Sequence, residues 1–385
     1  MEPTRIRVPA RRLAWLRSEV ARWQAEGVID DGTAARITDR YVPGRRLSLE
    51  RLVLLLGGGF LGIGLIWVVA ANLDQMSPLL RFVGITVVWL AAAVLGEVLT
   101  GPAVRQAARL VTVLAAGGVV FQAAQSLQVP AYTSGLLAVW AGGALAYAYA
   151  TRAAGPLVVA LAIGAVWYGW WVSEQTGPGG VAVALLAAGA VALSLAVVHD
   201  RAGPAPFAAP WRLAGFVLAL TGLFVAAFPG IRQEDMYASV ALWSGLVAAA
   251  VAAGAALLLG DPGGRREVLA AAVMIVGALG LVAWSPGDPF GPGGFSAAQT
   301  ARALVGTLLY VLAASWFAAV AARRDATYLV FIATAALVVF VTAQSFAVFQ
   351  PLLSGAALFL ALGVIFIVTG TLAEYGRRRL MEVTR

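Results

Sequence analysis

The stretch LLLGGGFLGIGLIWVVAANLDQMSPLLRF, residues 54–82, runs without a charge to Leu73, meets Asp74 and Pro78, and turns apolar again. An uncharged run of about 20 residues is long enough, as an α-helix, to cross the hydrocarbon core of a bilayer. Gly58 and Gly62 form a small-xxx-small pair that lets a neighbouring helix approach closely. They do not form a phosphate loop, because no strand precedes them and no Lys, Ser or Thr follows at the required spacing. At the far end Asn72 and Asp74 are placed to cap a helix terminus, and Pro78 opens a second helix. Arg81 lies one turn further on, within reach of Asp74.

The same pattern fills the chain. Its 385 residues are 61% hydrophobic and only 12% charged, with a mean hydropathy of +0.86; a soluble chain carries about twice that charge fraction. The fold expected is an all-α, polytopic membrane helix bundle of about twelve spans: 52–73, 79–100, 107–128, 131–151, 156–174, 180–198, 211–229, 237–259, 267–284, 302–322, 326–346 and 351–373. The arginines test this division, since no lysine occurs anywhere. With the N-terminus in the cytoplasm, 24 of the 27 arginines fall on the inner face, and only Arg81, Arg232 and Arg302 on the outer. Both termini are therefore expected in the cytoplasm. The net charge of +8 is explained by loops held against anionic lipid headgroups, not by nucleic acid.

Three regions follow: a cytoplasmic helical module (1–50), the membrane domain (51–376) and a basic tail (377–385). The Arg-rich first 50 residues contain no short apolar core and no small-residue cleavage site, so no cleavable signal is expected ahead of the first span. In the module, Leu13, Leu16, Val20 and Trp23 share one helical stripe. Gly27 stops that helix, and VIDDGTAARITDRY starts another with Asp30 or Asp31 as its N-cap. Two helices of this size bury too little to stand alone, so the module should dock on the membrane domain, a second copy or another protein.

The chain also repeats itself. VVFQAAQS (119–126) returns as VVFVTAQS (338–345), and the same offset of 219 takes Arg105 to Arg324. A weaker offset of 103 aligns RLVTVLAAGGVVF (109–121) with RLAGFVLALTGLF (212–224) and takes Trp140 to Trp243. All three copies run from inside to outside, which suggests three parallel four-helix repeats.

Little in the sequence carries reactive chemistry. The absence of cysteine excludes disulfides, thiolate metal sites and Cys nucleophiles, and the single His199 leaves no histidine metal cluster; no cofactor or metal is expected. Glu97 is the only carboxylate expected well inside a span, near its cytoplasmic end, which weakens the case for an ion pump or proton-coupled carrier. No Ser–His pair, paired aspartates or HExxH motif points to an intramembrane protease. His199 itself reads as solvated in a Pro-rich loop. Trp167, Tyr168, Trp170 and Trp171 read as an aromatic belt at the headgroup level. Gln122, Gln125 and Gln128 share one face of the third span and, with Gln344, should point into the bundle, either hydrogen-bonding between helices or lining a polar vestibule. With Asn72 and Asp74 they are the candidate binding residues.

The segments WQAEGVIDDGTAARITDRY, GLIWVVAANLDQMSP and FQAAQSLQV together resemble the bacterial predicted-membrane-protein family called domain of unknown function 2157, over roughly residues 13–175. Gly27-Val28-Ile29, Ala70-Ala71-Asn72, Gln125 and Trp140 occupy that family's characteristic places, while Leu73 replaces its usual Trp and Ala124 its usual Gly. The resemblance implies a bacterial cytoplasmic membrane and supplies no reaction. The expectation is a non-enzymatic carrier or lipid-handling protein whose partners are the bilayer and a small molecule or lipid. The alternatives are a membrane scaffold or envelope-stress component acting through residues 1–50, as homo-oligomer or with another protein, and, last, a membrane enzyme.

Overall fold

The structure is a computed structural model that describes residues 6–8, 10–43, 49–71, 77–130, 133–204, 206–231, 236–284, 286–287, 296–324, 326–349 and 367. The chain divides into two units, Met1–Gly57 and Gly58–Arg385.

In the first unit, helix α1 (Ala10–Ala25) is followed by α2 (Asp31–Arg40). Leu13 and Val20 of the expected stripe are buried, together with Ala34 of α2. Gly27 ends α1 at φ +71°, a left-handed conformation that favours glycine. Asp30 is the N-cap of α2, its side chain accepting the Thr33 amide at 3.0 Å. The Thr33 hydroxyl and this amide together hold the Asp30 carboxyl below the usual carboxylate range. One feature was not expected from the sequence: strands β1 (Ile6–Val8) and β2 (Tyr41–Pro43) pair in parallel.

The chain continues through α3 (Leu49–Ala71), α4 (Pro78–Val98), α5 (Pro102–Ser126), α6 (Ser134–Thr151), α7 (Ala154–Ser173), α8 (Pro178–Ala202), α9 (Ala208–Ala227), α10 (Val240–Leu259), α11 (Pro262–Ala283), α12 (Ala297–Arg323) and α13 (Thr327–Phe349). These helices lie on the first eleven of the expected spans; the twelfth, 351–373, lies outside the described residues apart from Ile367, as does the basic tail. Among the described residues nine helices, α4, α5 and α7–α13, are long and apolar enough to cross a membrane. Local chemistry sets their starts. Proline opens α4, α5, α8 and α11, where its missing N–H has no partner to lose. Ser77, Ser239 and Asp261 cap α4, α10 and α11, and Ser296 forms a capping box with Gln299 on α12.

Helix α8 is the most deeply buried of the nine and pairs most extensively with α9. Small residues make that pairing possible. A Cβ on Gly222 would lie 2.7 Å from the Ala182 carbonyl oxygen, and one on Gly189 would lie 2.8 Å from the Ala219 nitrogen. The backbones therefore touch directly, as tight helix pairs in lipid require. The same logic holds for the opening stretch: a Cβ on Gly62 would fall 2.7 Å from Leu114 of α5, and Gly58 faces Ala107. Between α9, α12 and α13 stacked rings fill the interior: Tyr310 on Phe340 at 3.8 Å and Phe216 on Phe317 at 4.2 Å between centroids.

Charge fastens both ends of this group. At the end where α8 finishes and α9 begins, Arg212 donates from Nε to Glu267 at 2.9 Å and from Nη2 to Asp200 at 2.7 Å. Arg324 reaches the same two carboxylates at 2.8 and 3.0 Å. Arg212 and Glu267 are only 4% and 3% exposed. Helices α8, α9, α11 and the end of α12 are thus clamped by a closed set of two cations and two anions. Glu267 departs from expectation, because it is buried whereas Glu97, the carboxylate expected inside a span, is exposed. The sequence placed it at a span boundary; α11 in fact starts at Pro262, one turn earlier.

At the opposite end Arg302, expected on an outer-face loop, is 4% exposed inside the bundle. It donates to the carbonyls of Ala226, Phe228 and Ile231 at and beyond the end of α9 and of Leu281 and Trp284 at the end of α11. Carbonyls left unpaired at helix C-termini carry the negative end of the helix dipole, so they stabilise a buried guanidinium without a carboxylate.

Two outcomes follow for stability, read as unfolding of the purified protein in detergent. Arg212→Ala, which leaves Glu267 buried beside one remaining cation, should lower stability by about 3–5 kcal/mol, whereas Arg22→Ala, which removes an exposed pair on α1, should change it by less than about 1 kcal/mol. Gly222→Ala should lower it by about 1–3 kcal/mol through overpacking, while Gly254→Ala, whose Cβ meets nothing within 4 Å, should cause no loss.

Candidate functional site

Helices α6 and α7 meet α8, α9 and α10 along facing surfaces built largely of alanine and glycine. Ala138, Ala141, Ala160, Gly164, Ala188, Ala192, Ala214 and Gly245 leave a gap that their side chains are too short to fill, a cavity of about 360 Å³. Larger side chains bound it: Leu145, Leu161, Trp167, Tyr168, Trp211 and Leu218. No charged side chain lines it. Its size lies in the range of small-molecule sites, about 300–1,000 Å³.

Aromatic residues around this cavity tie the surrounding helices together. At the α8–α9 end, Trp211 donates from Nε1 to Tyr149 Oη at 3.0 Å, and Tyr149 Oη lies 2.9 Å from His199 Nε2. His199 Nδ1 is 2.7 Å from the Leu195 carbonyl, which only accepts, so Nδ1 carries the proton and Nε2 accepts from the tyrosine. The chain of bonds therefore runs one way, Trp211 to Tyr149 to His199 to Leu195. Phe207 packs edge-on against Tyr149 at 4.8 Å. His199 is a correction to the sequence reading: it stands on the last turn of α8, which extends to Ala202, and not in a solvated loop.

At the other end Tyr168 donates to the Ala241 carbonyl at 3.1 Å, and Gln175 accepts the Ala241 amide at 3.3 Å. Thr176 exchanges hydrogen bonds with the Tyr237 backbone. Trp167 stacks on Trp171 with centroids 5.7 Å apart. The expected aromatic belt is thus divided: Trp170 is exposed, while Trp167 and Tyr168 turn towards the cavity. Two of the polar groups on the wall, the Trp211 N–H and the Tyr168 hydroxyl, already have partners. An apolar chain or ring satisfies such a wall, whereas a charged ligand would lose its hydration without compensation.

Four of the candidate residues taken from sequence lie elsewhere. Gln122 is buried on α5, and Gln125 and Gln128 are exposed at the end of that helix, Gln128 at φ +56°. Gln344 is 5% exposed on α13, and neither of its amide atoms has a hydrogen-bond partner among the described residues. None of these four lines the cavity. Asn72 and Asp74 lie outside the described residues. The two repeated glutamines, Gln125 and Gln344, therefore stand in different surroundings.

A different correspondence emerges from the charges. Glu97 at the end of α4 receives two hydrogen bonds from Arg109 on α5, at 3.1 and 2.7 Å. Asp200 at the end of α8 receives one from Arg212 on α9. Acid and arginine are twelve residues apart in both hairpins, and both pairs are related by the offset of 103. The arginines of these pairs open the two segments already aligned at that offset, and the acids twelve residues earlier extend the match. Nothing in the sequence marked Tyr149 and Trp211, because their meeting depends on how three helices cross.

Residues 21–157 match the family described as "Predicted membrane protein (DUF2157)". The matched segment takes in α2 to α6, so α8, α9 and α10, which supply much of the cavity wall, lie beyond it. No curated protein and no solved structure matches the chain.

Proposed function

We propose that this integral membrane protein is non-enzymatic and holds an apolar molecule, a lipid acyl chain or a hydrophobic compound of similar width, in the cavity walled by α6–α10. One observation carries this reading: a cavity of about 360 Å³ with an apolar, uncharged wall, set against the membrane-length helices α7–α10, whose Tyr168 hydroxyl and Trp211 N–H are already paired. It replaces the polar vestibule expected around the glutamines with an apolar one bounded by small residues. We further propose twelve spans in a bacterial cytoplasmic membrane, with both termini and the Arg212–Arg324 clamp on the cytoplasmic side. The convergence of Asp200, Arg212, Glu267 and Arg324 at one end supports that orientation, as do the matching acid–arginine pairs of α4–α5 and α8–α9, which also favour an internal repeat.

Gly164 lines the cavity, and a Cβ there meets only Ala141 at an ordinary 3.8 Å. Gly164→Leu should therefore fill the space with little backbone strain. The wild-type protein should bind a fluorescent fatty-acid probe, and the variant should bind it about tenfold more weakly with an unchanged unfolding midpoint. Equal binding by a folded variant would remove this reading. The cysteine-free chain also permits a clean topology test. Arg201→Cys should react with a membrane-impermeant maleimide only from the cytoplasmic side, and Tyr237→Cys only from the outside; labelling of both from one side would overturn the orientation.

A further inference from the structure

A second cavity, of about 240 Å³, lies between the first turns of α11 and the last turns of α12. It is lined by Asp261, Arg266, Glu267, Trp316, Arg323 and Arg324 among others. These charges differ in how far they are already engaged. Asp261 caps α11, its Oδ1 accepting the Gly264 amide at 2.9 Å, and that bond holds its carboxyl below the usual carboxylate range. Both oxygens of Glu267 are taken, one by Arg212 and one by Arg324. Arg324 is itself committed to Glu267 and Asp200. Arg266, in contrast, makes no hydrogen bond or ion pair among the described residues. Among the described residues Arg323 uses only its Nε, on the Ala319 carbonyl of its own helix, and its guanidinium is held over the Trp316 ring at 5.5 Å.

Glu267 is therefore fully occupied and Asp261 is engaged at one oxygen, while among the described residues two guanidinium groups keep free donors. Arginine presents those donors as a planar fork that matches phosphate oxygens two at a time. The cavity also lies at the ends of two helices long enough to cross a membrane. Basic pockets between membrane helices at that level bind anionic headgroups. Its volume is below that of a complete small-molecule site, about 300–1,000 Å³, and suits a headgroup or a single ion. We infer that this cavity seats a phosphate oxyanion, held by Arg266 and Arg323 and carried by a phospholipid headgroup or by free phosphate. Trp316 holds Arg323 in place, and the Arg212–Glu267–Arg324 contacts keep the neighbouring carboxylate from competing for the two free forks.

The test uses the full chain in zwitterionic phosphatidylcholine nanodiscs, titrated with phosphatidylglycerol or with inorganic phosphate. Bound lipid is counted by native mass spectrometry and stabilisation is followed by the unfolding midpoint. The wild type should retain phosphatidylglycerol, and R266Q/R323Q should retain it about tenfold less. R265Q, which changes an arginine outside the cavity lining, should behave as wild type. Retention of lipid that millimolar phosphate does not displace supports the site with a headgroup as its source. Displacement, with a midpoint raised by phosphate alone, supports it with the free ion as its source. The proposal is overturned if R266Q/R323Q binds both ligands as wild type does, or if R265Q loses as much as the double variant. It is equally overturned if neither ligand raises the wild-type midpoint, a measurement that does not depend on the variants folding.

Discussion

Four charges at one end of the bundle set the arrangement of α8, α9, α11 and α12. Ionised groups withdrawn from water lose several kcal/mol of solvation each, and only close, multiply bonded partners offset that loss. Arg212 and Glu267 are both almost fully enclosed, so each must find its counterpart at bonding distance. Asp200 and Arg324 close the set. Because Asp200 ends α8, Arg212 begins α9, Glu267 stands near the start of α11 and Arg324 follows α12, satisfying the charges also brings these helix ends to one level. Sliding any helix by a turn, about 5.4 Å, would strand a charge. Arg302 imposes the same condition at the far end with carbonyls in place of carboxylates.

With both ends fixed, the interior is decided by volume. Between α8 and α9 glycine lets the backbones touch, and the helices close on each other. Between α6–α7 and α8–α10 equally small residues face one another, yet the helices do not close, and the space remains. The difference lies in what surrounds each contact. Tyr168 on Ala241, with Gln175 and Thr176 on the start of α10, and Tyr149 with His199, Trp211 and Phe207, hold the walls apart at the cavity's two ends. A small-residue surface is thus either a close contact or a cavity, depending on the spacers around it. The oxyanion seat arises similarly, as a by-product of the clamp: once Glu267 is shared by Arg212 and Arg324, it is no longer open to the adjacent Arg266 and Arg323.

Much of this organisation could be read in the residues. Uncharged runs between prolines and capping side chains located the helices, because a span must satisfy its backbone internally and must end where polar groups can cap it. Gly58 and Gly62 announced a close contact, and the structure supplies Ala107 and Leu114 as its other side. Gly27 and Asp30 marked the break between the first two helices. The site was far less legible. Glutamines drew attention because polarity is rare in this chain, yet Gln125 is exposed and Gln344 is buried without a partner among the described residues. The cavity wall is alanine, glycine and leucine, the commonest letters here, and so carries no contrast with the rest of the sequence.

The sequence by itself determined that this is a helical membrane protein, which stretches form its long helices to within about a turn or two, and how its arginines are distributed. These properties depend on local composition and on the bilayer as solvent, both of which act on one segment at a time. Only the tertiary structure decided that Arg302 lies inside and not on a loop, that Glu267 is the shared anion of two arginines, that His199 accepts from Tyr149, and that one set of small residues encloses a space while another removes it. Each of these depends on which helix stands opposite which and at what height. That information is carried by pairings between distant residues, and no single stretch contains it.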